Sequence, residues 1–293
     1  MSLPMQSWLV YALPVMVAVA ALEGLYISKI RRRPYDWREN ATSLAVAIGR
    51  RLAGLLPIGF TVPLFAWLWN HRLFTIPLDS AGAVALLFIG QELCYYWLHR
   101  CDHAVRWLWA SHAVHHSPQQ FTLASAYRLA WTDQISGAAL FFAPLVVLGF
   151  RPEAVLAAAA ANLVYQFWLH TELVPKLGAL EWVLNTPSHH RVHHAMNPEY
   201  LDRNFGGVLI VFDRLFGTFA EERADIPCRY GVIGMPQSYN PVTIACREWV
   251  ALARDFASTR SLRNGLGYLL KAPGWAPKDD AAPLSRVAEA RAR

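Results

Sequence analysis

Five apolar stretches along the chain have the length and composition of segments that cross a lipid bilayer. They cover residues 8–27, 52–69, 80–98, 135–150 and 154–170. A helix needs about 20 predominantly apolar residues to span the hydrocarbon core. The fourth stretch is short, and Pro57 and Pro63 interrupt the second. The pattern therefore predicts an all-α integral membrane bundle with up to five transmembrane helices.

Composition favours a membrane protein and argues against a nucleic-acid partner. Of the 293 residues, 55% are hydrophobic and only 16% are charged, which is few for a water-soluble surface. The net charge of +6 would suit nucleic acid or an anionic lipid surface, and the apolar content favours the lipid. The four cysteines show no CxxC spacing, so we expect reduced thiols.

The distribution of basic residues predicts which side of the membrane each loop faces. No lysine or arginine precedes Lys29, whereas five follow between Lys29 and Arg38, directly after the first span. Basic loops face the cytosol, and a secretory signal would carry its charge before the apolar stretch. The first span therefore reads as a retained anchor. If each later span crosses the membrane in the direction opposite to the span before it, His99 and His170 lie at the cytosolic ends of their spans.

Ten of the eleven histidines lie between residues 99 and 194, and this clustering is the most informative signal in the sequence. They form the runs HRCDH (99–103) and HAVHH (112–116), a single His170, and HHRVHH (189–194). Residues three or four apart share one face of a helix. Three helical faces are therefore expected to direct imidazoles toward a common point.

A lone histidine near a membrane surface is more often an ordinary hydrogen-bonded side chain than a ligand, and we assign that role to His71. Several imidazoles buried together each need partners for both nitrogens, which favours a bound cation. Eight or more nitrogen donors exceed the need of one tetrahedral zinc, and neither an HExxH motif nor a thiolate set is present. Two ions follow. Imidazole suits zinc, copper and iron, and the membrane setting favours iron for oxygen chemistry.

Polar groups near the histidines are candidates to orient the ring nitrogens that do not touch metal. Glu92 lies two helical turns before His99 inside an apolar span, where an acidic residue is costly and usually functional. The alternative for Glu92 is a buried hydrogen bond to another helix. Further candidates within sequence reach are Asp102, Asp133, Glu172, Asn197, Asp202 and Asp213.

The rest of the chain predicts a cap and a tail. Residues 205–219 are expected to press on the membrane interface or to seal the site, and a polar helix with aromatic residues is expected near 241–258. We divide the chain into N-terminal transmembrane helices (1–98), a histidine-rich catalytic region with a transmembrane hairpin at about 135–170 (99–221), cytosolic or interfacial helices (222–276) and a poorly ordered tail (277–293).

The order HxxxH, HxxHH and HxxHH between Glu92 and Glu221 resembles the fatty acid hydroxylase and sterol desaturase superfamily of membrane di-iron enzymes. Within it, QFWLHTE, NTPSHHRVHHAMNP and DRNFGGVLIVFDRLFGTF resemble the alkylglycerol monooxygenase branch. The ending LLKAPGWAP resembles one common among bacterial members, and we therefore expect a bacterial inner-membrane protein.

This resemblance implies a core of four transmembrane helices, capped on the cytosolic side by a helical domain that holds two iron ions. It implies a C–H hydroxylation or desaturation of a lipid, using O2 and electrons from a pterin or a redox protein. The branch implies a glycerol ether lipid and tetrahydrobiopterin. His189 would be a donor in the outer shell or an alternative ligand. The implied ligands are His99, His103, His112, His115, His116, His170, His190, His193 and His194.

Three other functions are considered beside this one. A sterol or fatty-acyl desaturase would share the same superfamily and the same histidines. A membrane metal transporter would string its ligands along a transmembrane path with polar groups at mid-span, whereas these histidines are expected at one depth. A metal-dependent hydrolase would work without oxygen or a reductant.

Overall fold

The chain folds almost entirely into helices joined by turns and loops. This computed structural model describes residues 6–56 and 58–277. Within those ranges the only strand-like pairings are two isolated bridges, Leu184 with Leu209 and Ala195 with Tyr230. The predicted all-α class is confirmed. The tail predicted to be poorly ordered lies, beyond residue 277, outside the described residues.

Thirteen α-helices, numbered in chain order, make up the described part of the chain. A π-helical turn, Tyr26–Ile30, extends α1, and 3-10 turns lie at Ala138–Phe142, Gly178–Trp182 and Pro198–Tyr200. The helices are α1 (Gln6–Leu25), α2 (Trp37–Ala53), α3 (Thr61–Asn70), α4 (Ala81–Ala104), α5 (Arg106–His116), α6 (Leu123–Ala126), α7 (Asp133–Ser136), α8 (Ala143–Leu148), α9 (Pro152–Phe167), α10 (Pro187–His194), α11 (Val211–Leu215), α12 (Pro241–Ser258) and α13 (Leu262–Leu270).

Local sequence signals set where several of these helices begin. The Asp36 carboxylate accepts a hydrogen bond from the backbone N–H of Glu39 at 2.9 Å and so caps α2. Asn240 caps α12 in the same way through two backbone amides. Pro187 occupies the first turn of α10, where its missing N–H costs nothing. The polar helix predicted near 241–258 is confirmed as α12.

Two helical segments are long and apolar enough to cross a membrane among the described residues, Ala12–Ile30 and Ala81–Ala104. They coincide with the stretches predicted at 8–27 and 80–98. The other three predicted stretches are shorter or broken, and the number of membrane spans, four or five, stays a prediction. Stretch 52–69 contains the end of α2, a turn and then α3, and α9 covers only 16 residues.

The stretch at 135–150 is broken for a reason visible in its backbone. Gly137 adopts φ +88°, a left-handed conformation that ends α7 and starts a 3-10 turn before α8. Gly149 then has φ +127°, and a Cβ there would lie 2.4 Å from the Phe74 carbonyl oxygen. The segment therefore turns twice in a length that the apolar pattern alone assigns to one helix.

An apolar cluster joins α3, α4, α8 and α9 at one end of the molecule. Its buried members are Phe65, Leu87, Leu98, Phe142, Leu145, Val146, Phe150 and Val155. Helix α4 passes along this cluster, and its last turns carry His99 and His103 out of it. The cluster thus fixes the direction in which α4 presents its histidines. The division into regions at residues 98, 221 and 276 stays a prediction, and α4 runs without a break through the first of these boundaries.

Candidate metal centre

The nine histidines predicted as ligands converge in two adjoining groups of buried or nearly buried rings. In each group the nitrogens available to a metal lie within 4.8 Å of one another. We call the first the five-histidine group; it contains His99, His103, His112, His116 and His193. The second is the four-histidine group, which contains His115, His170, His190 and His194.

Helical spacing explains how one segment serves both groups. On α5, residues 112 and 116 are one turn apart and point into the five-histidine group, whereas His115 points into the other. Helix α10 repeats this arrangement in the opposite sense, because residues 190 and 194 enter the four-histidine group and His193 enters the five-histidine group. The groups share a wall where the His116 and His194 rings stack, with centroids 4.3 Å apart.

In the four-histidine group the Nε2 atoms face each other at hydrogen-bond distance. The Nε2 atom of His170 lies 3.2 Å from that of His115 and 3.0 Å from that of His190. In two of these rings the opposite nitrogen is occupied: Nδ1 of His170 donates to the Gln166 carbonyl at 2.8 Å, and Nδ1 of His115 lies 3.3 Å from the Arg128 carbonyl. Carbonyl oxygens only accept, so the ring proton sits on Nδ1 in both rings.

The five-histidine group has the same construction. Nδ1 of His99 donates to the Phe205 carbonyl and Nδ1 of His193 to the Arg203 carbonyl, each at 2.9 Å. Nε2 of His193 is buried without a hydrogen-bond partner. Nε2 of His99 lies 3.0 Å from Nε2 of His112. The nitrogens turned inward therefore carry lone pairs.

These donor atoms fit metal ions. Burial in a low-dielectric surrounding disfavours the charged imidazolium; it lowers the pKa of His115 to about 4 and the pKa of His190 and His193 well below the usual value. Neutral rings with their protons on Nδ1 direct unprotonated Nε2 atoms at each other, an arrangement that two lone pairs cannot satisfy and a cation can. The donor set consists of imidazoles throughout both groups.

Two of the predicted outer residues lie beside the groups. Asp202 Oδ1 is 3.3 Å from His103 Nδ1, and Asp102 Oδ2 is 3.7 Å from His112 Nδ1. Both contacts place a carboxylate behind a ring of the five-histidine group. An anion at that position raises the basicity of the ring nitrogen on the metal side.

Glu92 lies elsewhere. Its carboxylate accepts hydrogen bonds from the backbone N–H groups of Val208 and Leu209, each at 2.8 Å, and from Asn162 on α9. The contacts described for it include no histidine. The buried hydrogen bond to another helix, which was the alternative for Glu92, is what the structure contains. The residue joins α4 to α9 and to the loop before α11.

Three further candidates face away from both groups. Asn197 holds the 227–229 segment by accepting from the Arg229 N–H at 2.8 Å and donating to a backbone carbonyl. His189 is buried on the far side of α10, with Nε2 3.9 Å from Glu181, and belongs to neither group. Glu172 is exposed. For these three residues, closeness to a histidine in the sequence did not place the side chain beside a ring of either group.

Sequence reasoning also missed a buried ion pair behind the four-histidine group. Arg128 is 1% exposed, and its Nη1 lies 3.7 Å from Glu39 Oε1. Its Nε donates to Ser43 at 3.0 Å. Glu39 in turn accepts from two backbone amides at residues 119–120. No local signal marks the pair, because its members are separated by nearly ninety residues.

A cavity of about 590 Å³ reaches the five-histidine group from the side of α12 and α13. Its floor contains His103, His116 and His193, and its walls include charged side chains such as Arg247 and Glu248. Apolar side chains such as Ile233 and Trp275 complete the lining. Residue 205 of the predicted 205–219 segment also packs against the group, with the Phe205 ring 5.2 Å from the His103 ring.

Comparison with known proteins agrees with this geometry. Residues 84–218 match the model of the fatty acid hydroxylase family. The chain is 37% identical to the alkylglycerol monooxygenase of Xenopus tropicalis over 84% of its own length and 54% of that relative. It is 39% identical to the alkylglycerol monooxygenase of Danio rerio, over 80% of its own length and 52% of that relative. It is 35% identical to that of Homo sapiens, over 91% of its own length and 59% of that relative.

The chain spans about half the length of these curated relatives. No solved structure gives a significant match. The matched region begins within α4 and ends after α11, so it contains all nine histidines together with the loop that seals them. The chain contains a fatty acid hydroxylase domain at residues 84–218 and is similar, over most of its length, to alkylglycerol monooxygenases.

Proposed function

We propose that this protein is a membrane di-iron oxygenase that hydroxylates a C–H bond of a lipid, using O2 and external electrons. The observation that carries the proposal is the convergence of nine imidazoles into two groups, in which backbone carbonyls hold the ring proton of four imidazoles on the outward nitrogen. Two bound iron ions would supply the redox chemistry that activates O2 for attack on an unactivated C–H bond. Histidine ligation by all nine residues is part of the proposal.

Each half of the site has its own task in this proposal. The rings of the five-histidine and four-histidine groups would hold one ion each. The carbonyls behind them keep the ring protons on Nδ1, so the metal-facing nitrogens stay available at neutral pH. Phe121 packs against the His170 and His194 rings at 5.5 and 5.1 Å and excludes water from the four-histidine group.

The substrate and donor that we propose rest on the similarity to alkylglycerol monooxygenases. A glycerol ether lipid would be hydroxylated at the carbon beside the ether oxygen, with tetrahydrobiopterin or another reductant as donor. The cavity beside α12, whose lining includes charged side chains, gives a water-soluble donor a route to the five-histidine group. The lipid would reach the centre from the apolar helices, where α4 exposes Val84, Phe88 and Ile89.

We further propose that the site faces the cytosol, in a bacterial inner membrane, below a bundle of four or five membrane-embedded helices. The basic segment after α1 lies at the same end of the molecule as the histidines. Asp36 donates its backbone N–H to Gln120 at 2.9 Å, and the Glu39 carboxylate binds the amides of residues 119–120. The positive-inside rule therefore applies to the segment and to the site together.

The test is a reconstituted reaction. Purified protein loaded with ferrous iron is mixed with an alkylglycerol, tetrahydrobiopterin and isotopically heavy O2, and the lipid is analysed by mass spectrometry. We expect one heavy oxygen atom in the product or in its breakdown aldehyde. Loss of two hydrogens without added oxygen would instead indicate a desaturase.

Two variants control the experiment. His193→Ala removes a proposed ligand and should abolish the product, whereas His71→Ala alters an exposed histidine outside both groups and should not. Iron-loaded protein that consumes no O2 but carries metal into sealed vesicles would contradict the proposal and favour the transporter. Turnover of an ester without O2 would favour the hydrolase.

A further inference from the structure

The loop of residues 202–206, which we call the carbonyl loop, faces the five-histidine group with three acceptors. The Phe205 carbonyl accepts from Nδ1 of His99, and the Arg203 carbonyl accepts from Nδ1 of His193. The third acceptor is the Asp202 carboxylate, which lies behind the His103 ring of the same group. One short segment therefore contacts three of the five rings.

Asp213 holds this loop in place from behind. Its carboxylate is 0% exposed and accepts three hydrogen bonds of 2.7 Å, from the backbone N–H groups of Phe205 and Gly206 and from the Thr218 hydroxyl. The Gly206 N–H belongs to the same planar peptide unit as the Phe205 carbonyl. That unit thus binds a carboxylate at one edge and the His99 ring at the other.

A peptide in this position transmits charge as well as geometry. Hydrogen bonds in a chain polarise one another, and the effect is stronger where the local dielectric is low. The Asp213 carboxylate therefore makes the Phe205 carbonyl a better acceptor, which in turn increases the electron density at Nε2 of His99. The carbonyl loop acts as a relay between an anion and a metal-facing nitrogen.

A second buried side chain ties the loop to the α10 region. Asn204 adopts φ +58°, a left-handed conformation that asparagine tolerates. Its amide donates to the carbonyls of His189 at 3.1 Å and Ala220 at 2.8 Å, and its oxygen accepts from the Ala220 N–H. The loop is thus fixed on both sides of the peptides that face the histidines.

The four-histidine group takes none of its described hydrogen bonds from this loop. His170 donates to the Gln166 carbonyl in the last turn of α9, and His115 faces the Arg128 carbonyl. We propose that Asp213 is a positioning residue for the five-histidine group alone, acting through the Phe205–Gly206 peptide on His99. This inference rests on the proposed metal centre and assigns one outer anion to one of its two ions.

Glu92 provides a matched control within the same region. Like Asp213 it is a buried carboxylate, 1% exposed, and it accepts from two consecutive backbone amides at 2.8 Å. Those amides belong to Val208 and Leu209, and the Val208 carbonyl accepts from the backbone of Asn185 rather than from a histidine. Asp213→Asn and Glu92→Gln each replace a buried carboxylate that accepts from two backbone amides with a neutral amide. Only Asp213 lies behind a proposed metal ligand.

The experiment compares Asp213→Asn with Glu92→Gln in full-length protein loaded with cobalt(II). Loss of an outer partner weakens metal binding by about 10- to 100-fold, so Asp213→Asn should retain about one ion per chain under conditions where the parent protein retains two. Glu92→Gln should retain both. The visible spectrum of the ion left in Asp213→Asn should match that of His99→Ala and differ from that of His115→Ala.

Thr218→Val is a milder second variant, because it is close in shape and removes only the hydroxyl that orients Asp213. It should weaken the same ion several-fold and leave the other unchanged. Two ions retained in Asp213→Asn and Thr218→Val, or equal loss from both groups, would overturn the inference. Parent protein that binds no cobalt or iron would instead defeat the proposed metal centre itself.

Discussion

The two histidine groups lie side by side, yet they draw their support from different parts of the chain. The four-histidine group is supported by α9 itself and by the segment after α5, close to its own ligands in sequence. The five-histidine group depends on a loop about a hundred residues beyond His99. The four-histidine group takes its described backbone contacts from the ends of its own helices and the segment after α5, whereas the five-histidine group also uses the carbonyl loop. Two metal sites with the same kind of ligand can therefore differ in which substitutions weaken them.

The largest effect is expected from removing one ligand from each group. His193→Ala and His115→Ala should each reduce oxygenase activity to background, because C–H oxidation would need both ions. Each variant should retain about one ion by elemental analysis, since outer contacts of the other group are intact. Retention of two ions in both variants would contradict the ligand assignment.

Removal of both ions should destabilise the protein strongly. An ion present at about a thousand times its Kd adds about 4 kcal/mol to the free energy of unfolding, and the unprotonated nitrogens lose their only partner. Thermal unfolding in detergent, with and without a chelator, measures the change. His193→Ala should show about half of the parent's shift. An equal shift in both proteins would mean that His193→Ala still binds both ions, which would contradict the ligand assignment, and no shift in the variant would mean that the groups do not bind ions independently.

Breaking the buried ion pair should weaken the support of the four-histidine group. Arg128→Met leaves the Glu39 carboxylate buried without its cation, which costs about 3 kcal/mol in the free energy of unfolding. Arg50→Met is the control, because the Arg50–Asp133 pair is partly exposed and is worth less than about 1 kcal/mol. Denaturant titration of the two variants should separate them clearly; equal midpoints would contradict this role.

The smallest effect is expected at Asp202. Its side chain is 40% exposed, and the contact with His103 is 3.3 Å long. Asp202→Asn keeps an acceptor oxygen and tolerates the φ of +56° found there. Metal affinity of the five-histidine group should fall by less than about tenfold. A larger loss than in Asp213→Asn, measured by competition with a chromogenic chelator, would place the main anion of this group at Asp202.

Sequence patterns predicted the parts of this molecule that repeat with a helical period. The face shared by residues 112, 115 and 116 is real because α5 is helical, and the same holds for α10. The pattern also found the helices at 8–27 and 80–98. It did not find the turns at Gly137 and Gly149, since an apolar run looks the same whether or not its backbone bends.

What the sequence left open was the pairing of distant polar groups. Asp102, Asp202 and Asp213 were indistinguishable as candidates, because each lies near a histidine or its loop in sequence. Only the packed structure separates a carboxylate beside a ring, as in Asp202, from one that acts through a peptide, as in Asp213. Arg128 and Glu39 meet across α2 and α6, a contact that tertiary packing alone creates.

The adjacent pairs His115–His116 and His193–His194 have a mechanical consequence. Within each pair a single peptide bond joins a ring of one group to a ring of the other. The spacing between the two ions would then be fixed by helix geometry, with no hinge available to change it. If α5 or α10 were rotated by one residue, the two adjacent histidines of that helix would each point toward the wrong group. The metal centre can therefore be assembled with each helix in only one rotational position.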